Sequence, residues 1–168
     1  MSTGLPLVFT ITQETDASGD FTALNNVLAG LRGVVGASIT INFGADVTLD
    51  SALTPISLGG GSHLTINGGN HTLAGGGQFA GFVVNSGDVT IDDLTIADAS
   101  ARGATGLGGG GGGAGLGGGL FVGSGAVVTL AGVSFTGDVA VGGEGVIGPN
   151  NAGGSGGSIF DGAAALHL

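Results

Sequence analysis

The sequence predicts an all-β fold: a parallel β-solenoid with one capping α-helix near its N-terminus and two Gly-rich loop insertions. Three observations predict it. β-favouring triplets recur at a fixed interval, one early stretch alone carries a helical period, and the glycine excess falls into two blocks.

The repeat organises everything else. Ile39-Thr40-Ile41, Leu64-Thr65-Ile66, Val89-Thr90-Ile91, Val128-Thr129-Leu130 and Leu166-His167-Leu168 align with start-to-start intervals of 25, 25, 39 and 38 residues. Asn42, Asn67 and Asp92 follow the first three triplets in the same register. Leu94-Thr95-Ile96 maps onto Val133-Ser134-Phe135, and Leu120-Phe121-Val122 onto Ile159-Phe160-Asp161, both at an offset of 39. A period near 25 holding three short strands is too short for a series of sandwich hairpins; it matches one coil of a stacked parallel solenoid.

Alternation within each triplet assigns the faces. Ile39, Ile41, Leu64, Ile66, Val89, Ile91, Val128 and Leu130 are expected to stack inward as apolar columns. Thr40, Thr65, Thr90 and Thr129 face outward, where β-branching favours a strand and water is tolerated. Asn42 and Asn67 are expected at sharp corners in left-handed geometry, with their amides hydrogen-bonded from coil to coil.

The segment before the repeats reads differently. Residues 7–12 alternate as a strand, and Phe21, Leu24, Val27, Leu28 and Leu31 form one apolar stripe on a helix near 20–32. Ser18 or Asp20 is the expected N-cap and Gly33 the stop. A solenoid end exposes strand edges and core side chains, so residues 1–37 are read as an N-terminal cap. Residues 38–168 are the stacked coils of the same single domain, 1–168.

Composition excludes several classes. Glycine supplies 41 of 168 residues, yet there are 3 prolines and no glycine at every third position throughout, which removes collagen. With 42 % hydrophobic residues and 8 % charged ones, the balance of ordinary disorder is inverted. Two basic residues against 12 acidic ones, a net charge of −10, argue against any nucleic-acid partner. The glycine blocks at 103–119 and 142–157 account for the lengthening of the interval from 25 to 38–39 residues. They are expected to be loops extruded from one corner of a coil, where extended glycine could pack backbone to backbone. No Gly-Lys-Ser/Thr is present, and no lysine at all, so they are not phosphate loops.

The run of strand, Asp-Ser-Gly-like turn, short helix and "ITINF…LTING…VTIDDLTI" coils resembles right-handed parallel β-helix domains of the pectate-lyase-like superfold. More closely, the chain resembles the N-terminal region of large bacterial surface proteins and adhesins, including autotransporter-like and type I-secreted passengers. Those proteins also carry insertions like "GGGGGGAGLGGGLFVGSGAVVTL" and "NAGGSGGSIFDG". The resemblance implies a right-handed coil and a secreted or cell-surface location. Lyases and hydrolases of the superfold use clustered acids, which directs attention to Asp88, Asp92, Asp93 and Asp98 with Arg102 nearby in sequence.

Turn chemistry accounts for those acids more simply. Carbohydrate platforms of Trp or Tyr are absent, and paired catalytic carboxylates need a cleft and a defined separation. His63, His71 and His167 are scattered in register and are read as solvent-exposed, not metal-ligating. The chain is therefore expected to be no enzyme, with no catalytic, cofactor-binding or metal residues and no cofactor. The start Met1-Ser2-Thr3-Gly4-Leu5-Pro6 shows no basic n-region and no apolar run long enough for a signal peptide or a membrane span. The last triplet begins a further coil without a cap, so a C-terminal truncation is expected. The expected function is a structural and adhesive segment of a secreted bacterial surface protein, acting in attachment and biofilm. Its partner would be a cell-surface or extracellular-matrix component, or other copies of itself. The alternatives are a fibre subunit stacking through uncapped ends, and a polysaccharide lyase or hydrolase.

Overall fold

The computed structural model describes residues 6–13, 23–106, 111–144, 159–161 and 165–167. The chain opens with β1 (Leu7–Ile11) and α1 (Leu24–Gly30). Next come β2 (Ser38–Phe43), β3 (Val47–Thr48), β4 (Ile56–Ser57), β5 (His63–Asn67) and β6 (Thr72–Ala74). Two long strands follow, each trailed by two short ones: β7 (Phe82–Asp92), β8 (Thr95–Ala97), β9 (Ser100–Arg102), then β10 (Leu120–Ala131), β11 (Ser134–Thr136), β12 (Val139–Val141). β13 (Ile159–Asp161) and β14 (Ala165–His167) close the series. Among the described residues the fold is all-β apart from one short helix.

The strands form three sheets. The largest runs β1-β2-β5-β7-β10-β13, with β4 also on β7 and β14 also on β10. The second runs β11-β8-β6-β3, and the third pairs β12 with β9. Every pairing among these strands is parallel. Parallel neighbours cannot be joined by a tight hairpin, so the chain must leave the sheet and return between them. Here the distance travelled is the repeat itself.

The register follows the triplets residue for residue. Ile39 pairs with Leu64, Leu64 with Val89, Val89 with Val128 and Val128 with Leu166. The offset-39 matches also hold, with Phe135 opposite Ile96 and Ile159 opposite Leu120. All eight inward positions expected of the triplets are buried, and the Thr40-Thr65-Thr90-Thr129 column is half-buried on the other face. A second apolar column rises through the neighbouring sheet from Val47 through Leu73 and Ile96 to Phe135. Both columns join one core, in which each fully buried Leu or Ile contributes about 1.5–3 kcal/mol relative to exposure. β1 extends the stack by one layer, with Phe9 opposite Ile41 and Ile11 opposite Phe43.

The helix is shorter than its periodicity implied, Leu24–Gly30 instead of 20–32. Its N-cap is Ala23, without a side-chain cap; Ser18 and Asp20 lie outside the described residues. The reason is a backbone substitute. Ala23 forms a parallel bridge with Gln13, and Leu24 N–H donates to the Gln13 carbonyl at 3.0 Å. An orphan donor of the first turn is thus satisfied by the chain leaving β1. Leu24, Val27, Leu28 and Leu31 of the predicted stripe enter the common core, and Phe21 lies outside the described residues. Gly33, the expected stop, has φ +73° and donates to the Ser57 carbonyl at 2.9 Å. Asn25 ties the helix to the loop after β3, donating to Ala52 O at 3.1 Å and accepting from Thr54 N–H at 2.7 Å.

The corners differ from expectation in one respect. Asn42 and Asn67 lie within β2 and β5, and Asn67 Nδ2 donates to Asn42 Oδ1 at 2.8 Å, as an amide ladder should. Neither is left-handed. Among the described residues the left-handed non-glycine positions are Asn70, Asp93 and Asp98: β5 and β7 run on through the amide column and the chain bends beyond it at Asn70 and Asp93, and again after β8 at Asp98. Asp93 and Asp98 (φ +48° and +49°) precede Gly132 and Gly137 (φ +63° and +69°) one layer on. Each Asp carboxylate occupies the space that a Cβ on the following glycine would need. Asp and Asn are the side chains that tolerate this geometry best.

The glycine tracts are not extruded where they are described. Gly103 N–H donates to Val141 O and Gly106 N–H to Glu144 O, both at 2.8 Å, continuing the β9–β12 pairing. Residues 112–118 then lie flat on that ribbon, with Gly113 N–H donating to Ala104 O and Gly143 N–H to Gly113 O, both at 2.7 Å. Cβ atoms at Gly112, Gly115 and Gly118 would collide with the backbone of Gly143, Val141 and Val139 respectively. The three-residue spacing is that of an extended, three-per-turn chain presenting one edge. Gly115→Ala should therefore destabilise the fold by about 1–3 kcal/mol or more through overpacking. Gly60→Ala, at an exposed position with open space around it, should stay within about 0.5 kcal/mol. Urea unfolding of the two variants checks the contrast; equal effects would contradict the packing.

Candidate functional site

The acids singled out in the sequence do not converge. Asp88 faces β5 from β7, and Asp92 ends β7 in the column above Asn67. Asp93 and Asp98 stand at two separate corners, before and after β8, while Arg102 ends β9 in the third sheet. Among the described residues, no group of three or more His, Asp or Glu could hold a metal ion.

What the stacking does bring together are His and Asp across adjacent layers. His63 lies opposite Asp88, with Nδ1 3.3 Å from Asp88 Oδ2 and Nε2 3.4 Å from Thr90 Oγ1. His71 Nδ1 lies 3.3 Å from Asp46 Oδ1, which also accepts the Thr72 N–H at 2.8 Å. Both pairs are 25 residues apart, the repeat interval. The repeat interval is the sequence signal for them: each histidine stands one period from its aspartate.

His63 and Asp88 border a groove of about 550 Å³ between the Gly59-Gly60-Gly61 loop and Ser86-Gly87 of β7. Two hydroxyls there are already committed. Ser62 Oγ donates to Val34 O at 2.9 Å and accepts from Ala37 N–H at 3.2 Å, and Ser86 Oγ donates to Leu58 O at 3.0 Å. The line Thr90–His63–Asp88 has the order of an acyl-transfer nucleophile, base and orienting acid. Thr90 is not among the residues lining the groove, however, so a carbonyl seated there would not meet it. The pairs act as clips between layers, fixing register on a partly wet face. Solvent screens pairs as exposed as these, so their contribution to stability is small.

Two carboxylates are electrostatically displaced. The Thr72 N–H, and then His71, hold Asp46 below its ordinary value of 3.8. Burial raises Asp138 above that value, against the Ala99 N–H that its Oδ1 accepts at 2.8 Å, with the charge of Asp98 adding to the rise. The two act oppositely on acid stability. The Asp46 contribution is complete above pH 3.8 and is lost as pH falls through its lowered folded value. The cost of ionised Asp138 is relieved as pH falls through its raised folded value, before the Asp46 loss begins. Asp138→Asn, which keeps the acceptor for Ala99, should match or exceed the parent stability at pH 7 and remove the gain on mild acidification. Asp46→Asn should instead flatten the loss below pH 3.8. Denaturation midpoints from pH 2 to pH 7 test both, and unchanged profiles would contradict the assignment.

No helix among the described residues is long and apolar enough to cross a membrane. Comparisons with family models, with curated proteins and with solved structures found no match to this chain.

Proposed function

We propose that the chain is a right-handed parallel β-helix and a non-enzymatic structural and adhesive segment of a secreted bacterial cell-surface protein. The observation that carries this reading is the unbroken column from Ile39 through Leu64, Val89 and Val128 to Leu166. A chain that returns to the same sheet in parallel register once per repeat, while feeding a second sheet that shares its core, is most simply a coil. Parallel crossovers are overwhelmingly right-handed. Such a stack offers a long, stiff surface of repeated Thr and Asn columns, suited to many weak contacts along a glycan or matrix polymer and to mechanical load. The separated acids give catalysis no support.

The test is attachment. Beads coated with the purified chain should bind bacterial or matrix-coated surfaces, and the soluble chain should compete with them. Deleting residues 38–168 from the parent gene should reduce biofilm mass. No binding, no competition and no deletion phenotype together would overturn the proposal.

A second reading, head-to-tail assembly, is favoured by one observation. Among the described residues β11 and β12 pair on one side only, and Val139 and Val141 are 44 % and 43 % exposed. Sedimentation velocity should then show concentration-dependent growth that Val139→Lys with Val141→Lys abolishes. A monomer at all concentrations would remove this reading.

A further inference from the structure

Where the glycine tract folds back, it roofs a second cleft of about 420 Å³ against the outer face of β7 and β10. Val83, Leu116 and Phe121 give it apolar walls, Ala80 and Ala101 leave it room, and Arg102 stands at its rim. Its volume is in the range of small-molecule sites. Arg102 is one of only two cations in a chain with net charge −10. Ion pairs among the described residues are His63–Asp88 and His71–Asp46, and Arg102 takes part in neither. Ser100, which also lines the cleft, is 3 % exposed, and its Oγ has no hydrogen-bond partner among the described residues.

We propose that this cleft binds a small amphiphile with one carboxylate and an apolar tail, the carboxylate on Arg102 and the tail along Val83, Leu116 and Phe121. A guanidinium beside an apolar wall is weakly hydrated and presents a planar fork that matches a carboxylate. A buried hydroxyl without a partner has donor capacity to spare, and an anionic head is the group that uses it. Charge complementarity also selects against the alternatives. A cationic amphiphile meets Arg102 unfavourably, and a neutral one leaves the fork unused. The long-range field of a chain at −10 repels anions, so added salt should screen the repulsion more than it weakens the short bidentate contact.

Octanoate, 1-octanol and octylammonium serve as probes in a titration followed by amide and methyl NMR. Octanoate should give saturable shifts confined to the neighbourhood of Val83, Leu116 and Phe121, with affinity held or improved between low and physiological salt. Arg102→Gln, at an exposed strand end, should weaken octanoate at least ten-fold and leave octanol unchanged. Arg102→Lys, which keeps the charge but not the fork, should fall between. Absence of saturable shifts, octylammonium binding as tightly as octanoate, or an octanoate affinity indifferent to Arg102→Gln would each overturn the proposal.

Discussion

Parallel pairing in register means that each paired strand residue meets its counterpart from the neighbouring repeat, about 4.8 Å away. That constraint sets the side-chain choices throughout the molecule. An apolar residue stacked on an apolar residue extends the core without a seam, as from Ile41 through Ile66 and Ile91 to Leu130. An amide stacked on an amide donates to it, as Asn67 does to Asn42. A like charge stacked on a like charge would repel at each step along the axis. Charged residues are accordingly few, and Asp88 meets a histidine and Asp92 an amide on the β5 side.

Glycine follows from the same constraint at closer range. A side chain that leans across a corner, such as Asp93 or Asp98, demands that the next layer present none, and Gly132 and Gly137 comply. The folded-back tract takes this furthest, because a backbone lying on a backbone leaves no room for a Cβ at Gly112, Gly115 or Gly118. The glycine excess is in these stretches a packing requirement, and the folded-back tract lines the cleft beside Arg102.

Much of the fold was legible because the repeat is a direct image of the pairing. The triplet alignment is the strand register, and alternation within triplets is the burial pattern. The ends of α1 were less legible, since its first turn is satisfied by Gln13, a partner distant in sequence that no local capping rule can find. The left-handed corners were misplaced onto Asn42 and Asn67 because propensity names the residue type that tolerates the geometry, not where a strand stops. Asn70, Asp93 and Asp98 satisfy the same propensity and sit where the chain bends. The His63–Asp88 and Asp46–His71 clips were in reach of the repeat but invisible to a search for convergent metal ligands. The cleft near Arg102 could not be foreseen, as it exists only once the glycine tract has been laid against the outer face.

The described surface is repetitive and poor in charge, with an apolar cleft beside Arg102 and a half-buried Thr column. Residues 25 apart stand directly paired on β2, β5 and β7, and the chain contains no cysteine, which leaves a clean background for cross-linking. Thr65→Cys combined with Thr90→Cys places two thiols on directly paired positions of β5 and β7, at a spacing that permits a disulfide. Thr40→Cys with Thr90→Cys places them two layers apart, at roughly twice that distance. Mild oxidation should close an intramolecular disulfide in the first pair and not in the second. Equal yields, or cross-linking of the second pair in preference to the first, would contradict the stacking on which the whole structure depends.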